Sequence, residues 1–224
     1  MSKMRISIII PTKNEGQGIE SVINSVKKYS NDIIIVDGHS EDGTKEIAIK
    51  LGASFYLDHG KGKGDAVRLG IVKAKGDILV IFDSDGSPNP ADIPYLIKEI
   101  GKGADMVITS RRTGGSFDFE ITPNGILRTF GSDLMAYLVN IKFHTKLSDV
   151  IYNFRAIRTK TVKKLPLKAN GFDIEQEMLV RALQAGYKIV EIPSRENARK
   201  WGRSKLHTLT GVVLLCKLLK ILYF

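Results

Sequence analysis

Residues 78–90 read ILVIFDSDGSPNP. Five apolar residues, 78–82, end in Asp83-Ser84-Asp85, and turn residues follow at once. The run has the length and composition of a buried strand. Two carboxylates separated by one small residue therefore stand where the strand leaves the core. Like charges at such a place repel, so a positive partner is expected. A hard divalent cation that itself carries a diphosphate suits the pair, because magnesium accepts one or two protein carboxylates together with substrate phosphates. The alternative for a lone D-x-D is a solvated turn.

The flanking sequence repeats the strand pattern. Residues 5–10, 33–36, 54–57 and 106–109 also read as short buried strands. Between them, residues 18–29, 43–51, 64–74 and 91–100 have helical apolar spacing, as with Ile19, Val22, Ile23 and Val26 on one face. Asp42-Gly43-Thr44 and Pro90-Ala91-Asp92 have the character of helix starts. Such alternation implies an α/β fold of right-handed βαβ units, with a parallel sheet covered by helices on both faces. Ligands of these sheets bind beyond the carboxyl ends of the strands. Residues 11–15, 37–42 and 83–85 all lie at such ends, so three polar clusters converge on one expected site.

After Arg111 the pattern changes. Residues 112–124 have no clear period and read as a long loop, of the kind that is usually functional. Residues 125–141 and 174–185 read as helices, 151–157 and 188–192 as strands, and 194–205 as a basic loop. Residues 206–224 form an apolar terminal helix carrying Lys217 and Lys220. The division expected is a catalytic domain over 1–205 and a membrane-associating amphipathic helix over 206–224, lying at the interface with its lysines at the headgroups. Packing of that helix on the domain, or on a partner in a homodimer, is the alternative.

Composition narrows the function. The 224 residues include 34 Lys and Arg against 24 Asp and Glu, a formal charge of +10 that asks for an anionic partner. Aromatic residues are not interleaved with the basic runs as nucleic-acid stacking platforms would require, so nucleic acid is not the expected partner. One cysteine, Cys216, excludes an intrachain disulfide and fits a reducing, cytoplasmic setting. The apolar run at residues 6–11 is too short for a signal peptide, and no stretch has the 18–20 apolar residues of a membrane span. Gly60-Lys61-Gly62-Lys63-Gly64 lacks the glycine spacing and the Lys-Ser/Thr ending of a P-loop, and reads as a basic turn near a nucleotide. The four histidines show no metal-ligand spacing.

Taken in order, Pro11-Thr12-Lys13-Asn14-Glu15, Val36-Asp37-Gly38-His39-Ser40-Glu41-Asp42-Gly43-Thr44, the Gly60–Gly64 turn and Asp83-Ser84-Asp85 resemble glycosyltransferase family 2, whose members have the GT-A fold. In the second half, Ser110-Arg111-Arg112, Arg128 with Ser132, residues 149–155, Glu175, and Arg199, Gly202, Ser204, Lys205 and Leu206 resemble the dolichol-phosphate (polyprenyl-phosphate) mannose synthases of that family. The likeness covers roughly residues 5–206. The acceptor loop lacks the usual Trp before its helix, and two further positions depart from the likeness. The family commonly has Val-Asp-Asp-Gly-Ser where this chain has Val36-Asp37-Gly38-His39-Ser40, and the branch often has Gln where this chain has Ser87.

The resemblance implies an inverting, metal-dependent transfer of mannose from GDP-mannose to a polyprenyl or dolichyl phosphate at the cytoplasmic membrane face, with a UDP-sugar donor as the alternative. A non-catalytic nucleotide-binding protein that recruits a membrane is the rival outside the enzyme class. The resemblance assigns Asp83, Asp85 and Ser87 to Mg²⁺ or Mn²⁺, and places Asp83, Asp85 and Arg199 at the reacting centre. Pro11, Thr12, Asn14, Glu15, Val36, Asp37, Lys63, Ser84, Arg111, Arg199 and Lys205 would line the nucleotide sugar with the two aspartates. Arg111, Arg128 and Ser132 would bind the acceptor phosphate. Glu15 and Asp37 also have ordinary alternatives, as a helix-capping acid and a turn residue. Asp149 and Glu175 are expected to orient sugar hydroxyls or basic residues. No base is required, because a phosphate monoester has its second pKa near 6 and is mostly ionised at neutral pH.

Overall fold

The computed structural model describes residues 4–115, 123–199, 201 and 208–223. Seven strands form one sheet in the order β3-β2-β1-β4-β6-β5-β7. They are β1 (Ile6–Thr12), β2 (Asp32–Asp37), β3 (Ser54–Leu57), β4 (Ile78–Ile81), β5 (Met106–Ser110), β6 (Arg155–Arg158) and β7 (Ile189–Pro193). The helices are α1 (Ile19–Val26), α2 (Thr44–Lys50), α3 (Lys63–Lys73), α4 (Ile93–Gly101), α5 (Arg111–Gly114), α6 (Pro123–Phe143), α7 (Thr159–Val162), α8 (Ile174–Gln184) and α9 (Thr208–Tyr223).

The strand residues alternate between two cores. Ile9, Ile34, Leu79, Ile81, Met106 and Ile108 face one layer, filled by α3, α6, α8 and α9. Ile8, Ile10, Ile33, Ile35, Ile78, Val80 and Val107 face the other, filled chiefly by α1 and α4. Burial on both faces explains why these strands are continuous apolar runs. Gly70 brings α3 close to the sheet, since a Cβ there would overlap Ile9.

The first four strands are parallel, and the direction of winding changes between β1 and β4. The sheet is mostly parallel, as the GT-A resemblance implies, and the strand that departs is β6, which runs antiparallel to both β4 and β5. After α6 the chain enters the sheet from the edge where β4 and β5 end, so Arg155 pairs with Ile81 and Ile108. Of the segment expected as a strand over 151–157, residues 151–154 instead form the approach to β6. This brings a polar turn onto the ligand-binding edge. Residues 112–114 of the expected loop belong to a helical turn, α5, and most of the remainder lies outside the described residues.

Helix α9 lies against α6 and α8 and adds Leu214, Leu218 and Leu222 to the core. Lys217 reaches Asp173 at 2.9 Å, so it is held by the protein. Val212, Val213, Leu219 and Tyr223 remain exposed, as do Leu127, Phe130, Tyr137 and Ile141 on α6. Among the described residues no helix is long and apolar enough to cross a membrane.

Candidate active site

At the end of β1, Pro11 and Thr12 are still strand residues. The Thr12 hydroxyl donates to Asp37 at 3.1 Å. Asp37, fully buried, also accepts from the Ser40 amide at 2.7 Å and the Ser40 hydroxyl at 2.6 Å. Asp37 therefore shapes the turn after β2, which opens with Gly38 and His39 beside Val36 at the strand end. Asn14, at a φ of 54°, ties β1 to the same turn through Ser40 and Glu41. Glu15 is buried, and its carbonyl accepts from the Gly18 and Ile19 amides where α1 begins.

The D-x-D follows β4, and its three side chains do different things. Asp83 turns inward. Its Oδ1 lies 2.9 Å from Lys63 Nζ and accepts from Asn153 at 2.8 Å. Lys63 also reaches Glu175 at 2.8 Å and sits over the Phe172 ring. Burial opposes the Lys63 ammonium, but the Asp83 and Glu175 carboxylates outweigh it and hold its pKa above the ordinary lysine value. Burial likewise works against ionised Asp83, yet Lys63, Asn153 and Arg199 bring its pKa below the usual value. Burial pushes the Glu175 carboxyl up despite Lys63. Ser84 bonds Pro11 O at 3.1 Å and so locks the motif to β1.

Asp85 has different partners. Its Oδ2 lies 2.7 Å from Arg199, and its Oδ1 accepts from the Ser87 amide at 3.0 Å. Ser87 is buried, and its carbonyl accepts from the Asn197 amide at 2.8 Å. Its observed contacts thus shape the turn under Asp85.

Residues 194–199 and Trp201 cross this edge like a strap. Ser194 bonds Ser110 O at 3.0 Å, Asn197 bonds Ser87, and the Trp201 indole N–H donates to Ser84 O at 3.1 Å. Glu196 lies 3.5 Å from Arg111. Arg111 is held from below by Asp149 at 2.7 Å and covers the Tyr152 ring at 4.9 Å. Burial disfavours its charge, but Asp149 and Glu196 more than compensate and raise its pKa. Asp149 and Glu175 thus orient basic residues.

Beneath these groups lies Arg155, 1% exposed. Its guanidinium donates to the carbonyls of Tyr152 at 2.7 Å, Glu175 at 2.9 Å and Asn153 at 3.3 Å. It thereby fixes the main chain of the two residues that hold Asp83 and Lys63. Burial pulls its pKa down. On α6, Ser132 is buried and Arg128 exposed, and the neighbouring Asp133 pairs with Arg112 of α5. Lys205 lies outside the described residues.

The structure gathers Thr12, Lys63, Asp83, Ser84, Asp85, Arg111 and Arg199 onto one edge. It adds Tyr152, Asn153, Glu196, Asn197 and Trp201, which the sequence did not single out as site residues. Their partners are distant in the chain. Tyr152 and Asn153 alone carry a sequence signal, because they lie in the segment 149–155 that resembles the mannose synthases.

Among the described residues no group of three or more His, Cys, Asp or Glu could hold a metal ion by itself. Asp83 and Asp85 offer two carboxylates, a donor set that suits an ion arriving with phosphate ligands.

This fold and edge define a GT-A enzyme, a transferase of sugar residues. The chain belongs to glycosyl transferase family 2, whose model matches residues 7–165. It is 31% identical to a dolichol-phosphate mannosyltransferase of Pyrococcus furiosus over 91% of this chain, and spans 59% of that protein. It is 26% identical to an uncharacterised glycosyltransferase of Mycobacterium tuberculosis, covering 90% of this chain and 89% of the relative. Its fold also matches glucosyl-3-phosphoglycerate synthase of M. tuberculosis, solved with Mn²⁺, UDP and glucosyl-3-phosphoglycerate. The TM-score there is 0.76 at 23% identity, over 99% of this chain and 81% of the other.

Proposed function

We propose that this enzyme transfers mannose from GDP-mannose to a polyprenyl or dolichyl phosphate, with inversion, on the cytoplasmic face of a membrane. The observation that carries this reading is the ordered edge itself, with two carboxylates after β4 and Arg111 and Arg199 beside them. Two anionic substrates brought together need cations between them, and arginine suits phosphate oxygens through its planar fork. The likeness to the Pyrococcus mannosyltransferase supports mannose and a lipid phosphate.

The phosphate oxygen of the acceptor attacks the anomeric carbon as the bond to the nucleoside diphosphate breaks, which turns an α-linked donor into a β-linked product. Mg²⁺ or Mn²⁺ held at Asp85 and Asp83 would neutralise charge on the departing diphosphate. Lys63 holds Asp83 in place, and Arg111 and Arg199 draw in phosphate oxygens. The acceptor is already ionised, so no residue need remove a proton. Arg128 and Ser132, four residues apart on α6 and so on one face, are assigned to the acceptor phosphate.

The exposed apolar residues of α6 and α9 are assigned to the membrane surface. Phe130→Asp is expected to weaken binding to anionic vesicles and leave the fold intact. Unchanged vesicle binding would remove α6 from that surface. The donor is tested by thermal unfolding with Mn²⁺ and GDP-mannose or UDP-glucose. A donor at 100 times its Kd stabilises the protein by about 2.7 kcal/mol. GDP-mannose is expected to do so, and a response to UDP-glucose alone would replace mannose and GDP in this reading.

A further inference from the structure

Tyr152 is 5% exposed, and its hydroxyl is buried without a hydrogen-bond partner among the described residues. A buried hydroxyl in that condition costs the fold stability and calls for a reason. The residue is pinned on both sides. Its amide donates to Asp149 at 3.1 Å, its carbonyl accepts from Arg155 at 2.7 Å, and its ring lies under the Arg111 guanidinium. The charged groups acting on the hydroxyl are Glu196, Asp83, Asp85 and Arg111, which are groups of the active-site edge. Burial first, and then Glu196 and Asp83, keep it protonated and therefore a donor. Above it the strap places an anion, the Glu196 carboxylate, against Arg111.

We infer that a substrate phosphate takes the place of Glu196 on Arg111 and that the Tyr152 hydroxyl donates a hydrogen bond to one of its oxygens. A phosphate keeps the negative charge that Arg111 requires and presents more acceptor oxygens than a carboxylate. The inference rests on the transferase reading, with either the donor diphosphate or the acceptor phosphate as the source of that oxygen.

Tyr152→Phe removes the one oxygen and keeps the ring under Arg111. Wild-type transfer is measured first, and its absence with every donor would sink the transferase reading before this inference is reached. Ligand-free Y152F is expected to melt at or above the wild-type temperature, because an unpartnered polar atom has gone. Its kcat/KM is expected to fall by roughly 10- to 150-fold, as for loss of a hydrogen bond to a charged group. Weaker binding of GDP or UDP with Mn²⁺ would identify the donor diphosphate. Unchanged nucleotide binding with a raised KM for polyprenyl phosphate would identify the acceptor. Wild-type kinetics in Y152F, or a lowered melting temperature showing that the hydroxyl serves the fold, would overturn the inference.

Discussion

Asp83 and Asp85 stand two residues apart, but they belong to different parts of the molecule. Asp83 is built into the interior seam between β4 and β6, where Lys63, Asn153, Glu175 and Arg155 converge from α3, the approach to β6, α8 and β6. Asp85, no more exposed than Asp83 (13% of the side chain against 19%), is bound instead by the strap through Arg199. The seam is held by groups that cannot leave without exposing buried charge. The seam thus sets geometry, and the strap lays Arg199 against Asp85 and Glu196 against Arg111.

The largest expected effects separate the two aspartates. Asp83→Asn and Asp85→Asn should each lower transfer by about 10²–10³-fold, as when a preorganised electrostatic contact is lost. Only Asp83→Asn should also destabilise the fold, by about 3 kcal/mol, because it leaves Lys63 short of one buried partner. Urea unfolding of both variants checks this, and equal stabilities would erase the distinction. The pH dependence follows from the lowered Asp83 pKa. The wild-type advantage over Asp83→Asn is fully present above the ordinary aspartate value of 3.8 and is lost as pH falls through the lower folded value.

A second contrast uses two arginines. Arg155→Met strands three buried carbonyls and should cost about 3 kcal/mol or more in denaturant unfolding. Arg199→Ala should cost less than about 1 kcal/mol, since its partly exposed pair with Asp85 is of the weak kind. A strap variant as damaging as the seam variant would mean that the strap is part of the core.

The smallest effect sharpens the account of the strap. Arg199→Ala should raise the affinity for Mn²⁺ in the absence of nucleotide by about thirtyfold, because a unit charge about 4 Å from a divalent cation in water opposes it by about 2 kcal/mol. Electron paramagnetic resonance titration of free Mn²⁺ measures it. A fall in affinity would mean that Arg199 supports the ion site instead of standing in for its occupant.

The strand–helix alternation over residues 5–110 was legible, because parallel strands buried on both faces leave continuous apolar runs, but β3, read as buried, is a partly exposed edge strand. Legibility failed at β6. Ile151 and Tyr152 are apolar in the manner of a strand, but Asp149 accepts both their amides and curls them into a turn. The convergence of residues 11–15, 37–42 and 83–85 was also legible, since strand ends of one sheet must share an edge. What could not be read was the inequality within the D-x-D. It depends on Lys63, Glu175 and Arg199, which only the folded sheet brings together. The terminal helix shows the same limit. Its apolar character was evident, but the pairing of Lys217 with Asp173 and the burial of Leu214, Leu218 and Leu222 on the domain were not.

The central claim, that the D-x-D edge carries out metal-dependent sugar transfer to a lipid phosphate, is tested most directly by following labelled sugar from GDP-mannose into polyprenyl phosphate. Wild type and Asp85→Asn are compared with Mn²⁺ and with excess EDTA. The account predicts β-linked product from wild type with Mn²⁺, none in EDTA, and at least a hundredfold less from the variant. Undiminished turnover in EDTA, or by Asp85→Asn, would contradict it.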